Sequence, residues 1–98
     1  MRTAIVLGTR PEIIKMSPII REYERRGLDF FVVHTGQHYS YELDEAFFRD
    51  LGLDEPEVNL EVGSGSHAVQ TGKIMAGVEE EILARNARGK IKHIINVT

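Results

Sequence analysis

The chain contains no cysteine, which excludes disulfide bonds, thiolate nucleophiles and cysteine-based zinc sites. It also lacks any apolar run near the roughly 20 residues that a membrane-spanning helix needs, so we predict no membrane partner. The N-terminus, Met1-Arg2-Thr3, leads directly into a predicted strand and does not resemble a signal peptide. We therefore expect a cytoplasmic protein.

Basic residues are scarce relative to acidic ones. Twelve lysines and arginines stand against fifteen aspartates and glutamates, which gives a formal net charge of −3. A chain without a basic field is a poor partner for nucleic acid, so any anion must be bound locally. The content of 42% hydrophobic and 28% charged residues is typical of a globular protein. We expect residues 1–98 to form part of one small domain, without an internal repeat.

Short apolar runs alternate with segments of helical periodicity along the chain. Strands that alternate with helices over short connections form parallel sheets with right-handed crossovers. The pattern therefore predicts an α/β fold, a Rossmann-like parallel sheet with flanking helices. Pro18 falls inside the first predicted helix and should kink it, because its ring displaces the carbonyl group of Ile14. The predicted strands cover residues 3–8, 29–35, 58–62 and 91–97, and the predicted helices cover 11–26, 39–51 and 67–86.

Each predicted helix has an apolar stripe that should pack on the sheet. Gly27 is a predicted helix stop, and Ser66 is a predicted N-cap of the third helix. The stripes consist of Ile13, Met16, Ile20 and Tyr23 in the first helix, Leu43, Ala46 and Phe47 in the second, and Val69, Ile74, Val78 and Ile82 in the third.

Ligands of such sheets bind beyond the carboxyl ends of the strands, where three loops are expected. These loops cover residues 8–12, 36–38 and 63–66. In the first, Thr9 and Glu12 have the spacing of a capping box, and Gly8 lets a ligand approach the backbone closely. Free N–H groups and the helix dipole at this junction favour an anion.

Two cations follow the junction between the first strand and the first helix. Arg10 supplies a guanidinium suited to phosphate, and Lys15 lies about a turn further on. Phosphate binding is one interpretation, and a well-capped helix with a surface arginine and lysine is the other. The residues alone leave both open. Neither a Walker A motif nor a G-x-G-x-x-G fingerprint is present, which argues against a simple NTPase or an NAD site, and we expect no cofactor.

The four histidines lie on separate predicted elements, with no pair at ligand spacing, so we predict no metal site. His34 is interpreted as a packed strand residue, and His93 is expected to share one strand face with Ile91 and Ile95. His38 lies at the ligand side of its element, although a solvated loop position is the simpler interpretation. The residues alone assign no catalytic group.

Three segments together resemble a known family. They are IVLGTRPEIIKMSPII near the N-terminus, HTGQHY at the end of the second strand, and GSGSHAVQTGKIM around the start of the third helix. These segments resemble the non-hydrolysing UDP-N-acetylglucosamine 2-epimerases, and the similarity runs from residue 1 to about residue 83. The run G-T-R-P-E followed by Lys15 and Pro18 is a specific combination.

The resemblance implies a GT-B architecture, with this chain in the N-terminal domain and a nucleotide sugar in the cleft between two domains. Members of the family interconvert UDP-GlcNAc and UDP-ManNAc by eliminating UDP to a glycal and adding it back. The resemblance further implies that Arg10 and Lys15 bind the UDP portion and that Gln37 and His38 lie in a loop near the cleft. The implied ligand is UDP-N-acetylglucosamine or UDP.

The chain departs from the family pattern in two places. Ala68-Val69-Gln70 stands where the family usually has Ala-Glu-Gln, so one carboxylate is lost. The last predicted strand is not followed by the family's Gly-Asp-Thr, whose aspartate is catalytic there, and the later catalytic carboxylates, the histidine and the second domain are also missing. We therefore expect an N-terminal fragment of an epimerase that is inactive by itself.

Three interpretations of function stay open at this point. The first is the epimerase fragment, and the second is a stand-alone nucleotide-sugar-binding module or the N-terminal part of a GT-B glycosyltransferase. The third is a module that folds and self-associates without a ligand. The last strand contains Ile91, Ile94, Ile95 and Val97, and its only charge is that of Lys92. We expect it at an exposed edge, which predicts a homo-oligomer. The alternative is a monomer in which this strand lies centrally.

Overall fold

The computed structural model describes residues 2–36, 41–86 and 91–96. Over these residues, strands and helices alternate in the predicted order. The predicted boundaries agree with the observed ones to within about two residues, except at the end of the third strand. The elements are β1 (Arg2–Leu7), α1 (Arg10–Arg26), β2 (Phe30–His34), α2 (Tyr41–Asp50), β3 (Val58–Asn59), α3 (His67–Asn86) and β4 (Ile91–Asn96).

The four strands form one parallel sheet in the order β3-β2-β1-β4. The connections through α1 and α2 therefore run outward from β1 in one direction, and the connection through α3 returns across the sheet to β4 on the other side. In a sheet of this kind the strand order reverses between β1 and β4, and ligands bind in the crevice beyond the carboxyl ends at that point. The predicted fold class is confirmed.

Helix α1 begins and ends at the predicted signals. Thr9 is its N-cap, with extended backbone angles, and Gly27 ends it in the left-handed conformation at φ 64°. The helix continues through Pro18, whose missing N–H cannot serve the carbonyl group of Ile14. The hydroxyl group of Ser17 donates a hydrogen bond to that carbonyl oxygen at 2.9 Å instead. The carbonyl group that proline leaves unpaired is thereby satisfied within the same turn.

Two apolar clusters hold the helices on opposite faces of the sheet. Helices α1 and α2 cover one face, whose buried residues are Ile5, Leu7, Ile13, Met16, Ile20, Val32, Phe48 and Leu53. Helix α3 covers the other face, where Val78 and Leu60 pack against Ala4, Val6, Phe31, Val33 and Val58. Since both faces of β1 are buried, its continuous apolar run is explained.

The packing corrects parts of the predicted helix stripes. Among the described side chains of α2, Phe48 is fully buried, whereas Phe47 is half-buried. In α3, Ile74 is buried but Val69 is half exposed, because five residues turn a helix by about 140° and point the two side chains apart. The side chain of Leu43 lies outside the described residues.

Strand β3 is shorter than the predicted 58–62. The chain leaves regular strand geometry after Asn59, because Glu61 adopts a left-handed backbone conformation at φ 54°. The side-chain oxygen of Asn59 accepts a hydrogen bond from the Glu61 N–H at 3.1 Å and supports this turn. The backbone N–H of Leu60 still donates to His34 of β2 at 2.8 Å, and that of Val62 donates to Thr35, just after β2, at 2.9 Å.

A register shift in β4 overturns the predicted placement of His93. Ile91 pairs with Arg2, but His93 pairs with Thr3, so one residue is extra on β4. Ile91 consequently packs on the α3 face and Ile95 on the α1 face. The three residues therefore do not share one strand face. The shift also places Ile94 beside Ala4 at the edge of the described sheet, where Ile94 is 51% exposed.

Candidate functional site

The loops that follow β1, β2 and β3 lie side by side at one edge of the sheet. The N–H of Thr35, just after β2, donates to the carbonyl oxygen of Leu7 at the end of β1 at 2.9 Å. The N–H groups of Val62 and Gly63 donate to Thr35 and Gly36 at 2.9 and 2.7 Å. The predicted convergence of the three loops is thus observed over the described residues.

Gly36 is required where the second and third loops meet. Its φ is +73°, which only glycine adopts readily. An added Cβ atom would lie 2.7 Å from Oδ1 of Asn59 and 2.9 Å from the backbone of Glu61. The two loops therefore approach each other more closely than any side chain at this position would allow.

Two side chains fix the third loop against the start of α3. The hydroxyl oxygen of Ser66 accepts a hydrogen bond from the Val69 N–H at 3.2 Å, which confirms the predicted N-cap. The side-chain amide of Gln70 donates to the carbonyl oxygen of Gly63 at 2.9 Å. Sequence reasoning missed this role of Gln70, because the contact spans the loop and depends on how the loop folds back on the helix.

The junction between β1 and α1 is already occupied by a carboxylate of the chain. Oε1 of Glu12 accepts hydrogen bonds from the N–H groups of Gly8 at 2.7 Å and Thr9 at 3.0 Å. This contact confirms the Glu12 half of the predicted capping box. It also corrects the expectation of free N–H groups, since these two donors already hold an anion. A phosphate at this junction must therefore be bound mainly by side-chain cations.

Arg10 is exposed in the first turn of α1, directly beside this junction. Its guanidinium carbon lies 5.9 Å from the centre of the Phe47 ring on α2, within the range of a cation–π interaction. Phe47 is half-buried and packs against the apolar cluster beneath α1 and α2. Arg10 is thus a cation at the carboxyl end of the sheet with its head group over an aromatic ring.

The fold does not place Lys15 next to Arg10. It is exposed on α1, five residues later, which is about 7.5 Å along the helix axis and about 140° around it. Among the residues that the structure describes, no ion pair engages Lys15, so its ammonium group is available to an anion. Gln37 and His38 lie outside the described residues, and their proposed roles stay predictions.

Two polar side chains are buried at the end of β2. The ring of His34 meets Phe48 edge-on at 6.3 Å, and His34 is fully buried, so its interpretation as a packed strand residue is confirmed. Thr35 is also fully buried, and its hydroxyl oxygen has no hydrogen-bond partner within the ranges 2–36, 41–86 and 91–96. No pattern in the sequence indicates this buried hydroxyl.

Within the described part of the chain, no three histidine, aspartate or glutamate side chains come together in a way that could hold a metal ion. No helix there combines the length and the apolar composition that crossing a membrane requires.

Comparisons with known proteins indicate one and the same family. The family model described as UDP-N-acetylglucosamine 2-epimerase matches residues 21–88. The UDP-N-acetylglucosamine 2-epimerase of Methanocaldococcus jannaschii is 51% identical over 83 residues, and that of Methanococcus maripaludis is 51% identical over 82. The UDP-2,3-diacetamido-2,3-dideoxy-D-glucuronate 2-epimerase of Pseudomonas aeruginosa is 34% identical over 84 residues.

A solved structure shows the same fold. The crystal structure of the M. jannaschii UDP-GlcNAc 2-epimerase, in complex with UDP-GlcNAc and UDP, matches 98% of this chain with a TM-score of 0.85 and 45% identity. The match covers 25% of that protein, and about 85% of this chain covers 22–24% of the three relatives named above. The chain thus spans about a quarter of the length of the relatives it matches. From the family model, the relatives and the shared fold, we conclude that this chain belongs to the UDP-N-acetylglucosamine 2-epimerase family and matches the N-terminal portion of its GT-B fold.

Proposed function

We propose that this chain forms the wall of a UDP-GlcNAc 2-epimerase active site that holds the diphosphate of UDP or UDP-GlcNAc. The observation that carries the proposal is the position of Arg10, beside the end of β1 at the point where the strand order of the sheet reverses. The crystal structure of the M. jannaschii relative, which shares this fold, contains that enzyme in complex with UDP-GlcNAc and UDP.

The chemistry of the proposed reaction separates two tasks. UDP leaves C1 of the sugar as the C2 proton is removed, and it adds back to C1 while a proton returns to the opposite face of C2, so one wall must hold a diphosphate while its charge increases. Acid and base groups must also move the proton at C2 of the sugar in a site from which water is excluded. We assign the first task to Arg10. Lys15, Gln37 and His38 keep their predicted role in binding the substrate, Lys15 at a distance from Arg10 and the other two outside the described residues. We assign no catalytic residue in this chain.

We assign diphosphate binding to side chains because two backbone donors of the junction are already occupied. Because Glu12 accepts from Gly8 and Thr9, the junction offers the diphosphate fewer N–H groups than a typical dinucleotide site does. A guanidinium can replace them with two parallel charge-assisted hydrogen bonds to phosphate. Arg10 is therefore expected to contribute more to ligand binding than the helix dipole does.

Isothermal titration calorimetry with UDP tests the proposal. Loss of a charge-assisted contact costs about 1.5–3 kcal/mol, so Arg10→Ala should weaken UDP binding roughly tenfold to a hundredfold. Arg26→Ala removes the same charge from the other end of α1, where Arg26 pairs with Glu22 at 3.7 Å, and should leave binding unchanged. Equal UDP affinity in the wild-type and Arg10→Ala chains would refute the proposal, as would an absence of UDP binding by the wild-type chain.

Two broader properties accompany this proposal. We propose that the chain forms homo-oligomers, because the described sheet ends at β4 and Ile94 is half exposed on that strand. We also propose a cytoplasmic location, on the basis of the composition. Fractionation of cells that express the gene product tests the location, and recovery in a membrane or secreted fraction would contradict it.

A further inference from the structure

The contact between Arg10 and Phe47 joins two helices across the proposed site. Arg10 belongs to the first turn of α1, and Phe47 belongs to the middle of α2. The guanidinium carbon lies 5.9 Å from the ring centre, and the ring itself packs on the apolar cluster under both helices. The ring therefore has a fixed place in the core, and it is one of the contacts that hold the guanidinium of Arg10.

A flexible arginine binds phosphate less well than a positioned one. Each rotamer-rich side chain that becomes ordered on binding lowers the affinity, so order that exists before binding raises it. The requirement is stringent here, because Glu12 holds the N–H groups of Gly8 and Thr9 and leaves much of the anion's binding to Arg10. A ring that keeps the guanidinium beside the junction contributes to this order.

We propose that Phe47 is a positioning residue for the diphosphate site, and that it acts by holding the guanidinium of Arg10 at the end of β1. The inference rests on the proposed function, because it assumes that Arg10 binds the diphosphate. Phe47 itself contacts the guanidinium and the core, and its effect on the ligand passes through Arg10. Helix α2 is thereby connected to UDP binding, although no residue of α2 is assigned a ligand contact.

Calorimetric titration of UDP into four variants tests the inference. Phe47→Leu removes the aromatic face, and it should weaken UDP binding roughly two- to fivefold. Phe47→Tyr retains the ring and should bind UDP with wild-type affinity. The matched control is Phe30→Leu, because Phe30 is also half-buried against the same cluster but lies at the start of β2, the far end of the sheet. Phe30→Leu should lower the midpoint of urea unfolding, as Phe47→Leu does, without changing the affinity for UDP.

The fourth variant combines Arg10→Ala with Phe47→Leu, and it separates positioning from a general structural effect. If the ring acts through Arg10, the double variant should bind UDP as Arg10→Ala does. A further loss in the double variant would overturn the inference, and so would equal UDP affinities of Phe47→Leu and Phe30→Leu. Phe47→Met takes the place of Phe47→Leu if that variant does not fold, with the same expectations. Unchanged affinity in Arg10→Ala would instead refute the proposed function itself.

Discussion

Glu12 offers a sharp test, because one carboxylate both caps α1 and occupies the junction proposed for an anion. The same oxygen accepts from Gly8 at 2.7 Å and from Thr9 at 3.0 Å, and Gly8 is buried. Glu12→Ala leaves both donors without this partner. From the typical costs of losing a helix cap and hydrogen bonds to a charged group, we expect the unfolding free energy to fall by about 2 kcal/mol. For a chain of this size, that change lowers Tm by roughly 8–16 °C.

Glu12→Gln separates the cap from the charge. A side-chain amide oxygen can still accept both hydrogen bonds, but neutral bonds are about half as strong as charge-assisted ones, so we expect a loss of about 1 kcal/mol. Removal of a negative charge about 5 Å from a phosphate contributes about 0.8 kcal/mol to anion binding in the fully solvated limit. Glu12→Gln should therefore be less stable than the wild-type chain and bind UDP roughly fourfold more tightly.

Urea unfolding followed by circular dichroism measures the first effect, and calorimetry measures the second. Glu22→Gln is the matched control, since Glu22 forms only exposed ion pairs with Arg25 and Arg26 among the described residues. It should change neither quantity by more than a few tenths of a kcal/mol. Wild-type stability in Glu12→Ala would show that the junction does not depend on this carboxylate. Weaker UDP binding by Glu12→Gln would show that Glu12 does not compete with the ligand.

Three further predictions concern the loops, the reaction and the exposed edge. Gly36→Ala should lower the unfolding free energy, measured in urea, by more than about 2 kcal/mol. Gly52→Ala has the same φ of +73° but no atom within 4 Å of the added Cβ, and it should cost only about 1 kcal/mol. Equal losses would contradict the close approach of the loops. The 98-residue chain mixed with UDP-GlcNAc in deuterated water should show no exchange of the C2 proton by NMR, and clear exchange would mean that catalytic groups lie within it. Light scattering at micromolar concentration should detect a dimer or larger species, which Ile94→Lys shifts toward monomer; a monomeric wild-type chain would contradict self-association.

The order and type of the elements follow from the sequence alone, because their signals are local. A buried parallel strand such as β1 is a continuous apolar run, and α1 lies between a capping box and Gly27. Parallel pairing of the strands then follows, because strands that alternate with helices in a chain of this length allow few ways to connect them. The same reasoning places three loops at the carboxyl edge and selects Arg10 as a cation there. The family motifs add the ligand, which composition and periodicity do not reveal.

Other properties depend on contacts between residues far apart in the chain, and only the tertiary structure decided them. The extra residue in β4 places Ile91 and Ile95 on opposite faces, since register is set by packing against β1 and not by alternation within β4. The short strand β3 reflects the left-handed turn at Glu61 and its contact with Gly36. The ring of Phe47 lies beside Arg10 because α1 and α2 share one face of the sheet, and a sequence pattern read along one helix carries no information about its neighbour.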